Sequence, residues 1–219
     1  MVKLEDSYKH RGMRKMLVRE LKTKGIRDER VLAAIGKVPR HFFFEPIFDQ
    51  HAYEDKAFPI GEGQTISQPY TVAVQSELLE VKPGSKILEI GTGSGYQACV
   101  LAELGAEVHT IEYILKLHKQ SKKMLNKMGY HLNFYHGDGS KGLPEMAPYD
   151  GIIVTAGAPT IPNELIKQLK INGILIIPVG KGKTQTMVKL IKTSESKVIQ
   201  KEYKQFSFVP LRGEKGIDE

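Results

Sequence analysis

The sequence predicts an α/β fold: a doubly wound, mostly parallel seven-stranded sheet with antiparallel edge strands, preceded by an N-terminal helical extension. Three observations carry that expectation. From residue 69 onward, short apolar runs of strand length alternate with segments of helical periodicity. One of those runs, 86–91, opens directly into a glycine-rich turn. The last two runs, 184–193 and 197–206, alternate apolar and polar side chains across a short polar link, as an antiparallel pair does.

The elements follow in order. Residues 7–24 place Met13, Met16, Leu17 and Leu21 at helical spacing, and Gly25 closes the helix. Asp28 is a cap for a second helix whose core face carries Val31, Leu32 and Ile35, and Pro39 ends it. The aromatic cluster HFFFEP (41–46) reads as a core plug joining these helices to the main body, rather than as a base-stacking platform. Residues 52–68, with Pro59, Gly61 and Gly63, read as irregular. Pro69 suits the first turn of a helix that runs to Leu79, and Lys82-Pro83-Gly84 makes the turn after it. Strands are then expected at 86–91, 106–112, 132–137, 149–157 and 173–180, with helices at 94–104, 114–128 and 162–170. Such alternation implies right-handed β-α-β units and a parallel sheet covered on both faces. The chain shows no internal repeat and no low-complexity linker, so residues 1–219 are expected to form a single domain. Within it, 1–68 supply the extension and 69–219 the Rossmann-like core.

Composition narrows the class. The chain has 219 residues, enough for one large domain with a full core. Lys and Arg number 32 against 25 Asp and Glu, a net charge of +7 that suits an anionic partner without specifying one. The single cysteine, Cys99, excludes an internal disulfide and a multi-cysteine zinc site, and reads as a small core hydrophobe. No apolar run approaches the roughly 20 residues of a membrane span. The first residues, MVKLEDSYKHRGMRK, contain no apolar stretch of a secretory leader. These points lead us to expect a cytoplasmic, monomeric protein with no membrane and no nucleic-acid partner.

The stretch LEIGTGSGYQA (88–98) carries the chemistry. A strand, glycines and a helix start form a nucleotide-binding arrangement, with the ligand beyond the carboxyl ends of the strands. Gly91 and Gly93 match the first two glycines of the dinucleotide fingerprint, but Tyr96 stands at the third. No Gly-Lys-Ser/Thr follows, so it is not a Walker loop. What stands here is E-x-G-x-G-x-G, with Glu89 two residues before Gly91. A carboxylate at the mouth of the loop repels a pyrophosphate and welcomes a cation, such as an amino group. Glu112 closes the next strand, where it can accept hydrogen bonds from both hydroxyls of a ribose. Asp138, in GDG (137–139), follows the third strand, within reach of an adenine amino group. Together these acids describe a site for adenosine bearing an amino acid, and S-adenosylmethionine fits that description better than NAD. The expected cofactor residues are Glu89, Gly91, Thr92, Gly93, Gly95, Glu112, Asp138 and Gly139.

The methyl acceptor has to be argued from other residues. The Asp/Asn-Pro-Pro-aromatic signature of amino-methylating nucleic-acid enzymes is absent, because the fourth strand runs into VTAGAP (154–159). Cys99 falls within a predicted helix, not on a loop where a cytosine-attacking thiol is needed. The seven histidines are scattered, with no H-x-x-x-H pair, and read as surface or packing residues, so no metal site is expected. The polar segment GEGQTISQPYT (61–71) remains. On composition it is a connecting loop in which Ser67 caps the Pro69 helix.

GQTISQPY (63–70), LEIGTGSGYQA, GDG, VTAGAPTIPNELIKQLKINGILIIPVG (154–180) and FVPLRG (208–213) stand in one order along the chain. In that order the sequence resembles the protein-L-isoaspartate O-methyltransferases, from about Tyr8 to Arg212. The glycine loop is common to many S-adenosylmethionine enzymes, whereas TISQP and FVPLRG are far more particular. One departure is Ile171-Asn172-Gly173, where many members have Pro-Gly-Gly, and asparagine tolerates turn geometry. The resemblance implies methylation of the free α-carboxylate of L-isoaspartyl residues in damaged proteins and peptides, giving an ester that converts through succinimide to aspartyl. It also implies Ser67 as the active-site residue and Glu89, Glu112 and Asp138 in the cofactor site. Thr65, Ile66, Gln68, Val209, Leu211 and Arg212 are implied on the substrate side, with Val209-Pro210-Leu211 near the peptide through its backbone. Arg212 has two readings, an attractor of the substrate carboxylate or a structural ion-pair residue.

An α-carboxylate with a pKa near 3.5 is ionised at neutral pH and needs no general base. Bringing it in line with a sulfonium methyl is a matter of positioning and water exclusion. Three competing functions stay open on residues alone. An RNA methyltransferase is favoured only by charge, a nucleotide-binding regulator transfers nothing, and an NAD oxidoreductase is disfavoured by Tyr96 and Glu89.

Overall fold

In the computed structural model, which describes residues 5–214, the expected sheet is present. Residues 1–4, the start of the stretch weighed above as a leader, lie outside the described residues, as do 215–219. The N-terminal region holds α1 (Tyr8–Thr23) and α2 (Glu29–Lys37). Ser7 caps α1 and Asp28 caps α2, each accepting a backbone N–H within the first turn. Two short 3₁₀ turns, Arg40–Phe43 and Pro46–His51, carry the aromatic cluster. Phe43 and Phe44 pack against the core, as the plug reading requires.

Residues 52–68 differ from the irregular segment expected of them. This segment is not irregular throughout: β1 (Phe58–Gly61) and β2 (Gln64–Ile66) form an antiparallel hairpin. Its turn residues, Glu62 and Gly63, have φ of 53° and 66°, the left-handed pair of a type I′ hairpin turn. Glutamate is an unusual occupant of the first of those positions, which explains why no turn signal stood in the sequence.

α3 (Pro69–Leu79) then leads to β3 (Lys86–Ile90), α4 (Tyr96–Glu103), β4 (Glu107–Glu112), α5 (Leu115–Lys127) and β5 (Asn133–His136). β6 (Tyr149–Val154), α6 (Asn163–Lys167), β7 (Leu169–Val179), β8 (Gln185–Lys192) and β9 (Val198–Phe206) complete the chain. The seven-stranded sheet has the order β5-β4-β3-β6-β7-β8-β9. β3 to β7 pair in parallel, and β8 and β9 are antiparallel to their neighbours. α6 is shorter than expected and β7 begins earlier, because residues 170–173 bulge out of register between the Tyr149–Leu169 and Gly151–Ile174 pairs. Asn172 takes a φ of 66° in that bulge, the turn geometry expected of it.

Strand parity sorts the core into two faces. Ile87, Ile153 and Ile176 face the helices that include α3 and α4, with Val72, Ala98 and Leu101. Leu88, Ile152 and Leu175 face the opposite side, with Leu165 of α6. Burying each such side chain stabilises the fold by roughly 2 kcal/mol. Cys99 is fully buried in the first cluster, and burial pushes its thiol well above the ordinary range, in keeping with a packing role. The carboxyl ends of β3, β4 and β6 all open toward one rim, and the glycine turn crosses it.

Candidate functional site

The rim holds a cleft lined by Gly91–Ser94, Glu112–Ile114, Gly139, Thr155 and the hairpin residues Gln64, Thr65 and Ser67. The turn after β3 needs its glycines. Gly91, Gly93 and Gly95 all have left-handed φ. A β-carbon at Gly91 would lie 2.7 Å from Thr155 Oγ1, and one at Gly95 would lie 2.4 Å from Leu125 Cδ1. Thr155, a residue that sequence reasoning missed, donates to the carbonyls of Ile90 at 2.9 Å and Gly91 at 2.6 Å. Its position one residue past β6, level with the glycine turn, was the available signal.

Glu112 ends β4 with both oxygens turned to the rim. Oε2 accepts Gly93 N–H at 2.8 Å and Oε1 accepts Ile114 N–H at 2.9 Å. One carboxylate thus ties the glycine turn to the start of α5. Each oxygen keeps a lone pair for a further donor. Ile111, Tyr113 and Ile114 supply an apolar flank beside it.

Glu89 is placed differently from the sequence expectation. Its carboxylate is not at the mouth of the loop. Its side chain shares the face of Ile87, pairs in register with Thr110, and is fully buried beneath the turn. Thr110 Oγ1 donates to Glu89 Oε2 at 2.5 Å, and Thr92 Oγ1 lies 2.6 Å from Thr110 Oγ1. Glu89 therefore holds Thr92 of the loop through Thr110. Burial, reinforced by the charge of Glu112 and only partly offset by Thr110, pushes its carboxyl up to about 8. At neutral pH it is predominantly protonated, so it offers no full charge to an ammonium group.

Asp138 is also engaged. Oδ1 accepts from the N–H and the hydroxyl of Ser140 at 2.9 and 2.7 Å, and Oδ2 accepts Glu214 N–H at 2.9 Å. Partial burial acts to raise its carboxyl, and these donors outweigh it and hold the group below the usual range. The neighbouring Gly139 lines the cleft, while Asp138 braces the turn behind it. A β-carbon on Gly139 would lie 2.5 Å from Ile90 Cγ2, so this closeness requires glycine.

A second cavity adjoins the first. Gln68, Tyr70, Thr71, Thr184, Gln205 and Phe208 line it, and it shares Thr65, Ser67, Thr155 and Val209 with the cleft. Ser67 stands where the two meet. It is not a helix cap: the cap position of α3 is Gln68, whose side chain makes no capping bond, and Asp55 Oδ1 receives Tyr70 N–H from outside at 2.7 Å. Among the described residues, Ser67 Oγ has no hydrogen-bond partner. Ile66, expected on the substrate side, is instead 1% exposed, belongs to the core and lines neither cavity. Val209 and Leu211 are stitched to Gly157, with Gly157 N–H donating to Val209 O and Leu211 N–H to Gly157 O, both at 2.8 Å. Arg212 lines the cleft, and a β-carbon at Gly63 of the hairpin turn would lie 3.9 Å from its guanidinium.

The histidines are less scattered in space than in sequence. His10 and His41 stack at 3.7 Å beside Asp6. Their ring nitrogens meet Ser7, Asp49, Tyr53 and the Glu5 carbonyl, and Arg14 takes both Asp6 oxygens. The group clasps α1 to the 3₁₀ turns, away from the cleft.

Known proteins resemble the chain over nearly all its length. The sequence profile of the protein-L-isoaspartate(D-aspartate) O-methyltransferases matches residues 12–216. The protein-L-isoaspartate O-methyltransferase of Cytophaga hutchinsonii is 57% identical over 213 residues, covering 97% of this chain and 96% of that one. The protein of the same name from Christiangramia forsetii is 55% identical, covering 97% and 100%. A solved protein-L-isoaspartate O-methyltransferase superposes with a TM-score of 0.82 at 29% identity, over 92% of this chain and 67% of that one. A Plasmodium falciparum structure described under the same enzyme name, in complex with S-adenosyl-L-homocysteine, gives 0.78 at 27% identity, over 91% and 98%.

Proposed function

This chain belongs to the protein-L-isoaspartate(D-aspartate) O-methyltransferase family, and on that premise we propose that it repairs damaged proteins. It moves a methyl group from S-adenosylmethionine to the free α-carboxylate of L-isoaspartyl residues. The observation that carries this reading is the position of Ser67, a hydroxyl with no partner among the described residues, at the junction of two cavities. One cavity has the features of a nucleoside cradle. The other is lined by neutral hydrogen-bonding and aromatic side chains suited to a peptide.

The residues of the cradle fit the cofactor. Gly91 and Gly95 let the turn close against Thr155 and Leu125 where β-carbons would clash, Glu112 keeps acceptor capacity for ribose hydroxyls, and Ile111, Tyr113 and Ile114 flank a flat base. Gly91, Thr92, Gly93 and Gly139 line the cleft and give backbone contact, whereas Gly95 is outside that lining and lets the turn pack on Leu125. Glu89 and Asp138 act from behind, shaping the glycine turn and the turn at Gly139. The bound cofactor supplies an activated methyl on a sulfonium.

On the acceptor side no proton has to be moved, because the α-carboxylate is already an anion. Ser67 donates a hydrogen bond to one carboxylate oxygen and leaves the other free to form the new C–O bond. The electron pair of the broken C–S bond would stay with the departing cofactor product, so no residue of the chain has to accept it. Thr65, Gln68 and the backbone at Val209–Leu211 hold the peptide, and Arg212 draws in the anion. The methyl ester then makes a better acyl group for the next peptide nitrogen, methanol leaves, and the succinimide opens by hydrolysis to aspartyl or isoaspartyl. Catalysis here is alignment and exclusion of water, not acid–base chemistry.

The enzyme acts as a cytoplasmic monomer on isoaspartyl peptides and proteins, without a nucleic-acid or membrane partner. No helix among the described residues is long and apolar enough to cross a membrane. The test is incubation with labelled S-adenosylmethionine and two peptides that differ only in an isoaspartyl or aspartyl linkage. Label should enter the isoaspartyl peptide and leave as methanol in mild base. Base-stable label, or equal labelling of both peptides, contradicts the proposal.

A further inference from the structure

The Ser67 hydroxyl has no partner of its own among the described residues, so its position is set by the backbone on either side. Upstream, Ile66 is locked by its pairing with Phe58 in the hairpin. Downstream, the chain is held by one side chain from another segment. Asp55 Oδ1 accepts Tyr70 N–H at 2.7 Å, and Oδ2 accepts Gln68 Nε2 at 3.0 Å. The Asp55 carbonyl takes the same Gln68 amide at 3.1 Å. These contacts bracket Pro69 and leave Ser67 immediately ahead of the clamp.

The Asp55 side chain is only 3% exposed. Its outer side meets Lys24 Nζ at 2.6 Å, and Lys24 in turn meets Glu20 of α1 at 2.6 Å. A buried carboxylate is costly to hold unless it is paired and bonded, and here cation, amide and backbone donors all converge on it. It also does what the sequence of α3 does not. The cap residue, Gln68, makes no capping bond with its side chain, so Asp55 supplies the acceptor for the first turn of that helix.

We propose that Asp55 is a positioning residue for the methyl-accepting side of the site. It clamps Gln68 and Tyr70 so that the Ser67 hydroxyl stands at the junction of the cofactor cleft and the second cavity. The inference rests on the reading of Ser67 given above and extends it to a residue that touches neither ligand. Among the described residues, none of the hydrogen bonds of Asp55 reaches the glycine turn or Glu112. Its effect therefore falls on the acceptor and not on the cofactor.

The experiment compares Asp55→Ala, Asp55→Asn and wild type, with activity expressed per site that binds S-adenosylhomocysteine by calorimetry. Asp55→Ala is expected to lower kcat/KM for an isoaspartyl peptide at least tenfold, with cofactor-product affinity within twofold of wild type. Asp55→Asn keeps one carbonyl oxygen for Tyr70 N–H but turns an amide NH₂ toward Gln68 or Lys24, and should recover part of the loss. Unchanged kcat/KM per binding site, with only a lower Tm, overturns the proposal and leaves Asp55 a stability residue. If the alanine variant does not fold, the asparagine variant is expected to show at least a threefold loss on the same readouts. Amide hydrogen exchange supplies a measure independent of turnover. It should quicken across 64–71 in the variants and stay unchanged across 91–95, and equal protection of 64–71 also overturns the proposal. Wild-type enzyme that labels no isoaspartyl peptide refutes the function, while the exchange result still decides the role of Asp55.

Discussion

Replacing Glu112 with glutamine separates the two tasks assigned to that side chain. The carboxylate binds two backbone N–H groups, Gly93 at 2.8 Å and Ile114 at 2.9 Å, and is 5% exposed. In the glutamine variant one oxygen is kept, and an NH₂ faces one of those N–H groups, donor to donor. Leaving one buried donor unpaired costs about 1–3 kcal/mol. Loss of the charge removes a further charge-assisted bond to a ribose hydroxyl, worth roughly 1.5–3 kcal/mol. The first effect loosens the glycine turn in the free and bound protein alike, so only part of it reaches the affinity. A net loss of about 3 kcal/mol corresponds to roughly 100-fold in Kd for S-adenosylhomocysteine. Isothermal calorimetry reads it directly, with circular dichroism to show that the fold is retained. An affinity within threefold of wild type refutes the ribose assignment, because no geometry in which both hydroxyls meet this carboxylate survives that substitution unharmed.

Other outcomes follow from the same geometry. Ser67→Ala should lower kcat/KM roughly 10–100-fold, the loss of a charge-assisted hydrogen bond worth about 1.5–3 kcal/mol, and full activity in initial-rate assays removes Ser67 from the mechanism. Gly95→Ala forces a β-carbon to within 2.4 Å of Leu125 at a left-handed φ. It should cost roughly 3 kcal/mol and lower Tm by about 6–12 °C in calorimetry, whereas an unchanged Tm means the turn is not so tightly packed. Glu89 should make stability fall as pH rises. The folded state keeps the proton up to about 8 and the unfolded chain releases it near 4.5, so stability present below the lower value is lost progressively through that window. Urea midpoints measured from pH 5 to 9 should decline for wild type and flatten for Glu89→Gln, and identical slopes contradict the buried neutral carboxyl.

The sheet was legible because each strand is a short apolar run bounded by glycine, proline or charge, and parity does the rest. Glu112 was legible for the same reason: it closes its strand, and a strand-end acid after β4 has few places to point. Glu89 looked equivalent but is not. It lies inside its strand, where alternation sends it to the α4 face and opposite Thr110, and a strand-end argument ignores which face a residue takes. Asp138 precedes the cleft-lining Gly139, but its oxygens are claimed by Ser140 and by Glu214 from the far end of the chain. The Asp55 clamp and the His10–His41 stack were invisible for that same physical reason, since both join segments that are neighbours only after folding. The hairpin over 58–66 was missed because Glu62 accepts a left-handed φ that sequence rules reserve for glycine, asparagine or aspartate.

If a nucleoside cradle and a peptide cavity meet at one serine, a crystal structure with S-adenosylhomocysteine and an isoaspartyl peptide will show it. Ribose hydroxyls are expected on Glu112, with the isoaspartyl α-carboxylate within hydrogen-bond distance of Ser67 Oγ and facing the sulfur. A peptide bound with that carboxylate away from Ser67, or a nucleoside away from the turn at Gly91–Gly95, contradicts it.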